Sequence, residues 1–261
     1  MDLLRRERPR ATRRAFAAIV ASVSLALVMA GCSQPRVDPQ EYDPYTVAQR
    51  ADAAAAADQV LARAAEGTVL ATQVTDVCSP GQKNWWVQDL SAWTCTRSSR
   101  WVVAAGSDDP GQAIADYRAH LTEAGCTVDE ATFGMVERYW ADYGVAGQNA
   151  NGDPYTVDDL PSASASCDSE QLGIAFRTPG DVETSAPSPA SQRVVEYSAL
   201  DLDAVNRSGA PLVVVIGTSR SYHSVSWDGS ISGKDEDAEE SDLPPGWCAC
   251  YSGSKCDCPG G

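Results

Sequence analysis

The chain has 261 residues, of which 36 are acidic and 20 are lysine or arginine, so its formal net charge is −16 at neutral pH. This negative field repels the phosphates of nucleic acids and of anionic lipid headgroups, and we expect no nucleic-acid partner. The length suits one large domain or two small ones, and either arrangement can bury a core. The residues give no indication of a cofactor, and we expect none.

The N-terminal stretch has the three parts of a secretory signal. Six arginines lie within residues 5–14, an apolar run follows at 16–30, and small residues precede Cys32. The apolar run has about 15 residues, fewer than the ~20 that a membrane-spanning helix needs. We therefore predict that residues 1–31 are a signal peptide that is absent from the mature protein.

The end of this signal, Met29-Ala30-Gly31-Cys32, resembles the lipobox of bacterial lipoproteins. Met29 stands where that motif usually has a branched aliphatic residue. The resemblance covers only residues 1–32, and no family is recognised for the mature body. It implies that Cys32 becomes the first mature residue and carries a lipid anchor of the palmitate type at the outer face of the cell membrane. The alternative is an ordinary signal peptide that ends in a cysteine.

Two export routes remain open. The stretch Thr12-Arg13-Arg14-Ala15-Phe16 resembles the twin-arginine motif of proteins that are exported in the folded state. Proteins with disulfides usually form them after crossing the membrane unfolded, which favours the general secretory route.

The chain contains nine cysteines, and lipidation of Cys32 would account for the odd one. In an oxidising compartment we expect the other eight to form disulfides. We predict the bridges Cys78–Cys95 and Cys126–Cys167, and the alternative is the crossed pairing of 78 with 126 and of 95 with 167. The remaining four are Cys248, Cys250, Cys256 and Cys258.

Three segments after the signal have clear local patterns. Residues 32–45 contain prolines and few apolar side chains, which is typical of a tether. An alanine-rich segment predicts a helix over 48–66 that ends at Gly67. A second helix is predicted over 110–124, because a Ser-Asp-Asp-Pro sequence can cap it and apolar residues recur with helical spacing.

Most other segments favour strands. The apolar run at 212–216 indicates a strand that is buried on both faces. The strands are interrupted by a loop at 144–168 and by a Pro/Ser connector at 179–191, which is a possible boundary within the domain. The predicted strands cover residues 68–77, 85–96, 100–105, 126–129, 133–141, 171–177, 193–199, 211–218 and 222–228.

These elements together predict the fold class. We expect an α+β domain over residues 46–228, in which two helices pack on a mostly antiparallel sheet that is stapled by disulfides. Residues 229–261 form an acidic linker and a cysteine-rich tail. Whether the body is one domain or two is left open.

The tail ends in two Cys-x-Cys pairs. Cysteines one residue apart rarely bond to each other. A turn over 251–255 would place Cys250 opposite Cys256 and Cys248 opposite Cys258, so we predict a nested, doubly bridged hairpin. One alternative is the parallel pairing of 248 with 256 and of 250 with 258. The other is a soft metal ion bound by the four thiolates.

Catalytic signals are weak. The chain has only two histidines, His120 and His223, that could act as the base of a Ser-His-Asp site. His120 falls on a helix surface and His223 in a serine-rich strand or turn. No serine has the Gly-x-Ser-x-Gly setting of a nucleophile elbow. We therefore favour a protein without catalytic activity.

Four tryptophans crowd one stretch and allow two interpretations. Their ring faces could bind a sugar or a peptide, or they could pack in and around the core. We favour core packing, because tryptophan is usually highly buried. The four are Trp85, Trp86, Trp93 and Trp101.

The function that these features favour is a lipoprotein of the bacterial cell envelope. It would act as a non-catalytic binding or accessory module, attached to the membrane through its N-terminal lipid and contacting an envelope protein or ligand. One alternative is an envelope hydrolase that uses His223 or His120. The other is metal handling by the C-terminal cysteine cluster.

Overall fold

A computed structural model describes residues 44–83, 89–189 and 192–231, and the backbone of two short strands at 249–251 and 255–257. The predicted signal peptide, Cys32 and nearly all of the predicted tether lie outside these residues. The chain divides into two units, Met1–Asp38 and Pro39–Gly261, and every described residue belongs to the second.

The centre of the fold is an antiparallel sheet of seven strands. Their order across the sheet is β3-β4-β5-β7-β2-β1-β6, and each neighbouring pair is antiparallel. The predicted α+β class with an antiparallel sheet is therefore confirmed. The strands are β1 Val69–Pro80, β2 Ser91–Ala104, β3 Thr127–Val128, β4 Ala163–Cys167, β5 Glu170–Arg177, β6 Arg193–Ser198 and β7 Val213–Ser226.

Four α-helices accompany the sheet in the described residues. The helices predicted over 48–66 and 110–124 are confirmed, but the expected number of two is wrong. A π-helical turn, Trp140–Gly144, follows the third helix, and short 3-10 turns lie at Val157–Asp159 and Pro179–Asp181. The α-helices are α1 Pro44–Ala64, α2 Pro110–Glu123, α3 Glu130–Tyr139 and α4 Leu202–Arg207.

The strand predicted over 133–141 is wrong, because this segment belongs to α3 and the turn after it. The carboxylate of Asp129 accepts hydrogen bonds from the backbone N–H groups of Ala131 and Thr132 and caps the helix. Phe133 and Val136 lie three residues apart and are both fully buried. Local β propensity is overridden here by the cap and by packing of one helical face.

The sheet has a core on each face. On one face, side chains of α1, α2 and α3 pack with Val103, Val214 and Ile216. On the other face, Val205 of α4 packs with Val102 and Val213. Because consecutive strand residues point to opposite faces, the apolar run in β7 supplies both cores.

Two pairs of predicted strands are each one long strand. β2 and β7 each have 14 residues and pair along almost their whole length. Their central segments, 97–100 and 219–221, are polar. The sequence therefore predicts two shorter strands in each case, although the hydrogen-bonded ladder continues through the polar residues. The ladder shifts register only near Ser91 and Cys95.

Both predicted disulfides of the domain are confirmed. Cys78 and Cys95 are opposite each other on β1 and β2 and are bonded. Cys126, directly before β3, is bonded to Cys167 at the end of β4. Within the described residues, no helix is long and apolar enough to cross a membrane.

Candidate functional site

The structure places both histidines inside the fold or against its backbone. His223 is only 2% exposed, and its Nδ1 lies 3.4 Å from the hydroxyl oxygen of Thr46. Because this ring is buried, a substrate in solvent cannot reach it. The Nε2 of His120 lies 3.3 Å from the carbonyl oxygen of Arg63.

The predicted tryptophan cluster is only partly described. Trp85 and Trp86 lie outside the described residues. Trp93 packs against the buried group that contains the Cys78–Cys95 bridge. Trp101 packs against the core that the sheet forms with α1, α2 and α3. Eight positions along one strand separate them by about 26 Å, so the two rings do not form a common surface.

The tail has the backbone register that the nested hairpin requires. Two short strands, β8 Ala249–Tyr251 and β9 Lys255–Asp257, pair antiparallel with Cys250 opposite Cys256. Cys248 and Cys258 lie outside the described residues, and the disulfide pairing of the tail stays a prediction. In the part of the chain that is described, no group of three or more His, Cys, Asp or Glu side chains is placed to hold a metal ion.

A buried carboxylate joins several elements of the domain. Asp76 on β1 is completely buried, and its Oδ2 accepts a hydrogen bond from Nε of Arg50 on α1 over 2.7 Å. Its Oδ1 accepts one from the hydroxyl of Tyr222 on β7, also over 2.7 Å. Arg97 and Arg50 both donate to Glu196 on β6, over 2.7 and 3.1 Å. This group of five side chains is the ion cluster.

The ion cluster shifts the protonation of its members. The hydrogen bond from Arg97 lowers the pKa of Glu196, and the charges of Arg97 and Arg50 add to this although partial burial opposes it. Burial raises the pKa of Tyr222, and its bond to Asp76 raises it further. Tyr222 therefore stays neutral and donates. The cluster fixes α1 and the edge strand β6 to the sheet.

Hydroxyl groups line the other face of the long strands. The hydroxyl oxygens of Ser98 and Ser219 lie 2.9 Å apart, and those of Thr96 and Ser221 lie 3.0 Å apart. Ser219 and Ser221 are exposed to solvent. The long strands thus carry a solvent-accessible row of Ser and Thr side chains on the face opposite α1.

A shallow groove of about 420 Å³ crosses this face over β5, β7 and β2. Its middle is a row of register partners, Gly173, Gly217 and Arg100, of which only the arginine has a side chain. On one side of this row lie Ser98 and Ser219. On the other side lie Ala175 and Val215.

The two glycines are not required by the backbone. Both lie in strands, and neither has a positive φ. A Cβ added at Gly173 would meet only the carbonyl oxygen of Gly217 at 4.0 Å, and one added at Gly217 would meet Ser99 O at 3.5 Å. Glycine inside a strand often marks a place where a ligand comes close to the backbone. The row Gly173–Gly217 is the floor of the groove.

Arg100 closes one end of the glycine row. Its Cγ lies 3.8 Å from the position of a Cβ at residue 217, and its Nη1 donates to the carbonyl oxygen of Glu183 over 2.8 Å. Burial lowers the pKa of Arg100, and the charge of Arg177 lowers it further, while Glu183 acts in the opposite direction. An arginine remains charged despite such a shift. Arg100 is therefore a fixed cation at the edge of the groove.

Sequence reasoning missed this groove, although a signal was present. The predicted strands 171–177 and 211–218 each contain one isolated glycine, Gly173 and Gly217. An isolated glycine in a strand pattern indicates a bulge or a close approach to the backbone. Only the pairing of β5 with β7 shows that the two glycines are neighbours.

Comparison of the chain with protein-family models, with curated proteins and with solved structures gives no match.

Proposed function

We propose that this protein is a lipid-anchored binding module of the bacterial cell envelope, and that the groove over Gly173 and Gly217 is its ligand site. The observation that carries the proposal is the glycine row, which leaves an accessible depression in the middle of a sheet face. Small-molecule sites are concave and combine apolar surface with a few polar groups. The groove has both, since the half-buried Ala175 and the buried Val215 border one side and Ser98 and Ser219 the other.

Two further features support a place outside the cytoplasm. The lipobox-like end of the signal implies that Cys32 carries the anchor. The bridges Cys78–Cys95 and Cys126–Cys167 are typical of proteins that fold in an oxidising compartment. Anchor, tether and groove together suit a module that holds an envelope component near the membrane.

The histidines do not favour the hydrolase alternative. His223 is buried, and His120 lies against the backbone of α1. A general base must come within hydrogen-bond reach of the proton that it removes from a substrate. We therefore place the function in binding.

The test uses the mature chain from residue 32 with Cys32→Ser, which removes the lipid and leaves a soluble protein. Its binding to purified cell walls of the producing bacterium is measured by co-sedimentation. A second protein also carries Gly173→Ala and Gly217→Ala, which fill the groove floor. Because the fold has room for both methyl groups, we expect unchanged thermal stability and at least tenfold weaker wall binding.

Gly134→Ala on α3 is the matched control, since a Cβ there would meet no atom within 4 Å. We expect this control to bind like the parent. Equal wall binding by all three proteins would exclude the groove as the site. No wall binding by the parent would contradict the proposed function itself.

A further inference from the structure

We infer that the groove binds a hydroxyl-rich ring compound that carries an oxyanion, with the anion on Arg100. This inference rests on the proposed function and names the chemical class of its ligand. Acidic sugars, with a carboxylate or a phosphate on the ring, have this chemistry.

The cation is the most specific group in the groove. Among the described residues that line it, Arg100 is the only charged one. A guanidinium has five N–H donors and matches carboxylate and phosphate oxygens in pairs. The Glu183 carbonyl accepts from one nitrogen, Nη1, of Arg100. That contact holds the side chain at the end of the glycine row, where it can receive an anion.

Two charged residues act on Arg100 in opposite directions. The chain as a whole has a formal net charge of −16, which disfavours an anion at long range, so binding of an anion relies on its direct contact with Arg100. Arg177 lies close enough to act electrostatically on Arg100 in the same direction as burial. The side chain of Glu183 opposes these effects, but it is exposed to solvent, which screens it. An oxyanion would add a charge-assisted hydrogen bond at the guanidinium, beside the one that the Glu183 carbonyl accepts.

The two borders of the groove differ in polarity, as the two sides of a sugar do. Ser98 and Ser219 offer hydroxyl donors and acceptors on one border. On the other border the half-buried Ala175 offers apolar surface, next to the buried Val215. The flat floor at Gly173 and Gly217 has no side chain in the way of a ring. A ring with hydroxyls on one edge and C–H groups on the other fits this arrangement.

The test compares glucuronate, glucose 6-phosphate and glucose on the soluble mature Cys32→Ser chain, by NMR titration of backbone amides. The three probes share a hydroxylated ring and differ in the anion. Because charge-assisted hydrogen bonds are about twice as strong as neutral ones, we expect at least one anionic probe to bind roughly tenfold more tightly than glucose. If only glucuronate binds more tightly than glucose, the groove is specific for a carboxylate. If both anionic probes bind more tightly, the groove recognises oxyanions in general.

Two variants locate the effect. Arg100→Gln should reduce anion binding to the level of glucose, while Arg138→Gln, an exposed arginine on α3, should leave it unchanged. Gly217→Ala should weaken the binding of all three probes. This variant still tests the groove if Arg100→Gln does not fold. Equal binding of the three probes that is still lost in Gly217→Ala would overturn the oxyanion inference and leave the groove standing. The inference would be overturned if none of the probes binds, or if Gly217→Ala leaves their binding unchanged. The co-sedimentation test with cell walls then decides the proposed function separately.

Discussion

The hydroxyl of Tyr222 donates a hydrogen bond to Oδ1 of Asp76 over 2.7 Å, and so links β7 to β1 across the intervening strand β2. Asp76 is completely buried, and its other oxygen accepts from Arg50 on α1. One carboxylate therefore fastens the first helix and two non-adjacent strands. A buried carboxylate is tolerated when it is both paired and hydrogen-bonded, and Asp76 has both kinds of partner.

Removing the tyrosine hydroxyl should destabilise the domain. Tyr222→Phe leaves one buried carboxylate oxygen of Asp76 without this donor, and we expect a loss of about 1–3 kcal/mol in the free energy of unfolding. Tyr197→Phe on the exposed edge strand β6 is the control, with an expected change within about 0.5 kcal/mol. Urea unfolding of both variants measures the difference. Equal stability of the two variants would show that the Tyr222–Asp76 bond contributes nothing net.

Glu196 should make the stability depend on pH in the acid range. Its pKa is lowered in the folded state by Arg97 and Arg50, so the folded protein binds this proton less readily than the unfolded chain. Its contribution is complete above the unfolded pKa of about 4.3 and is lost as the pH falls through the lower folded value. We expect the stability difference between the wild type and Glu196→Gln to shrink on acidification. A difference that is constant from pH 6 to pH 2.5 would contradict this account.

Local signals in the sequence were sufficient for part of the fold. Alanine content and the Ser-Asp-Asp-Pro cap predict α1 and α2. The position of each cysteine beside a predicted strand or loop predicts both disulfides of the domain. The strand predicted over 133–141 is wrong. The helical structure of this segment depends on the Asp129 cap and on contacts with the core.

The site could not be predicted because its parts are distant in sequence. Gly173, Gly217 and Arg100 become one row only through the strand order β5-β7-β2. The ion cluster likewise brings together α1, β1, β2, β6 and β7. No local pattern around Asp76 indicates that it is buried, and a carboxylate is expected to be exposed unless it is paired.

The tail should contain the nested pair of bridges. The backbone register sets Cys250 opposite Cys256. If the two strands continue with the same register, Cys248 would lie opposite Cys258. Mapping of peptides from unreduced protein should therefore find 250 joined to 256 and 248 joined to 258. The parallel pairing would contradict the register. Four thiols that react only after a chelator is added would instead indicate a metal site.

The lipid anchor should depend on Cys32 alone. Wild-type protein should incorporate a palmitate label and remain in the membrane fraction. Cys32→Ser should take up no label and appear in the soluble fraction or the medium, whereas Cys78→Ser together with Cys95→Ser should still be labelled. Membrane retention of Cys32→Ser, with no acyl mass on the wild type, would exclude a lipoprotein.

The central claim, that the glycine row is the floor of a ligand site, is tested most directly by locating a bound ligand. The backbone amides of the soluble mature Cys32→Ser chain are followed by NMR while soluble fragments of the bacterial cell wall are added. We predict that the largest shifts fall on Gly173, Gly217 and Ser219, and that Gly173→Ala with Gly217→Ala abolishes them. Shifts confined to other surfaces, such as α3 or the edge strand β6, or no shifts at all, would contradict it.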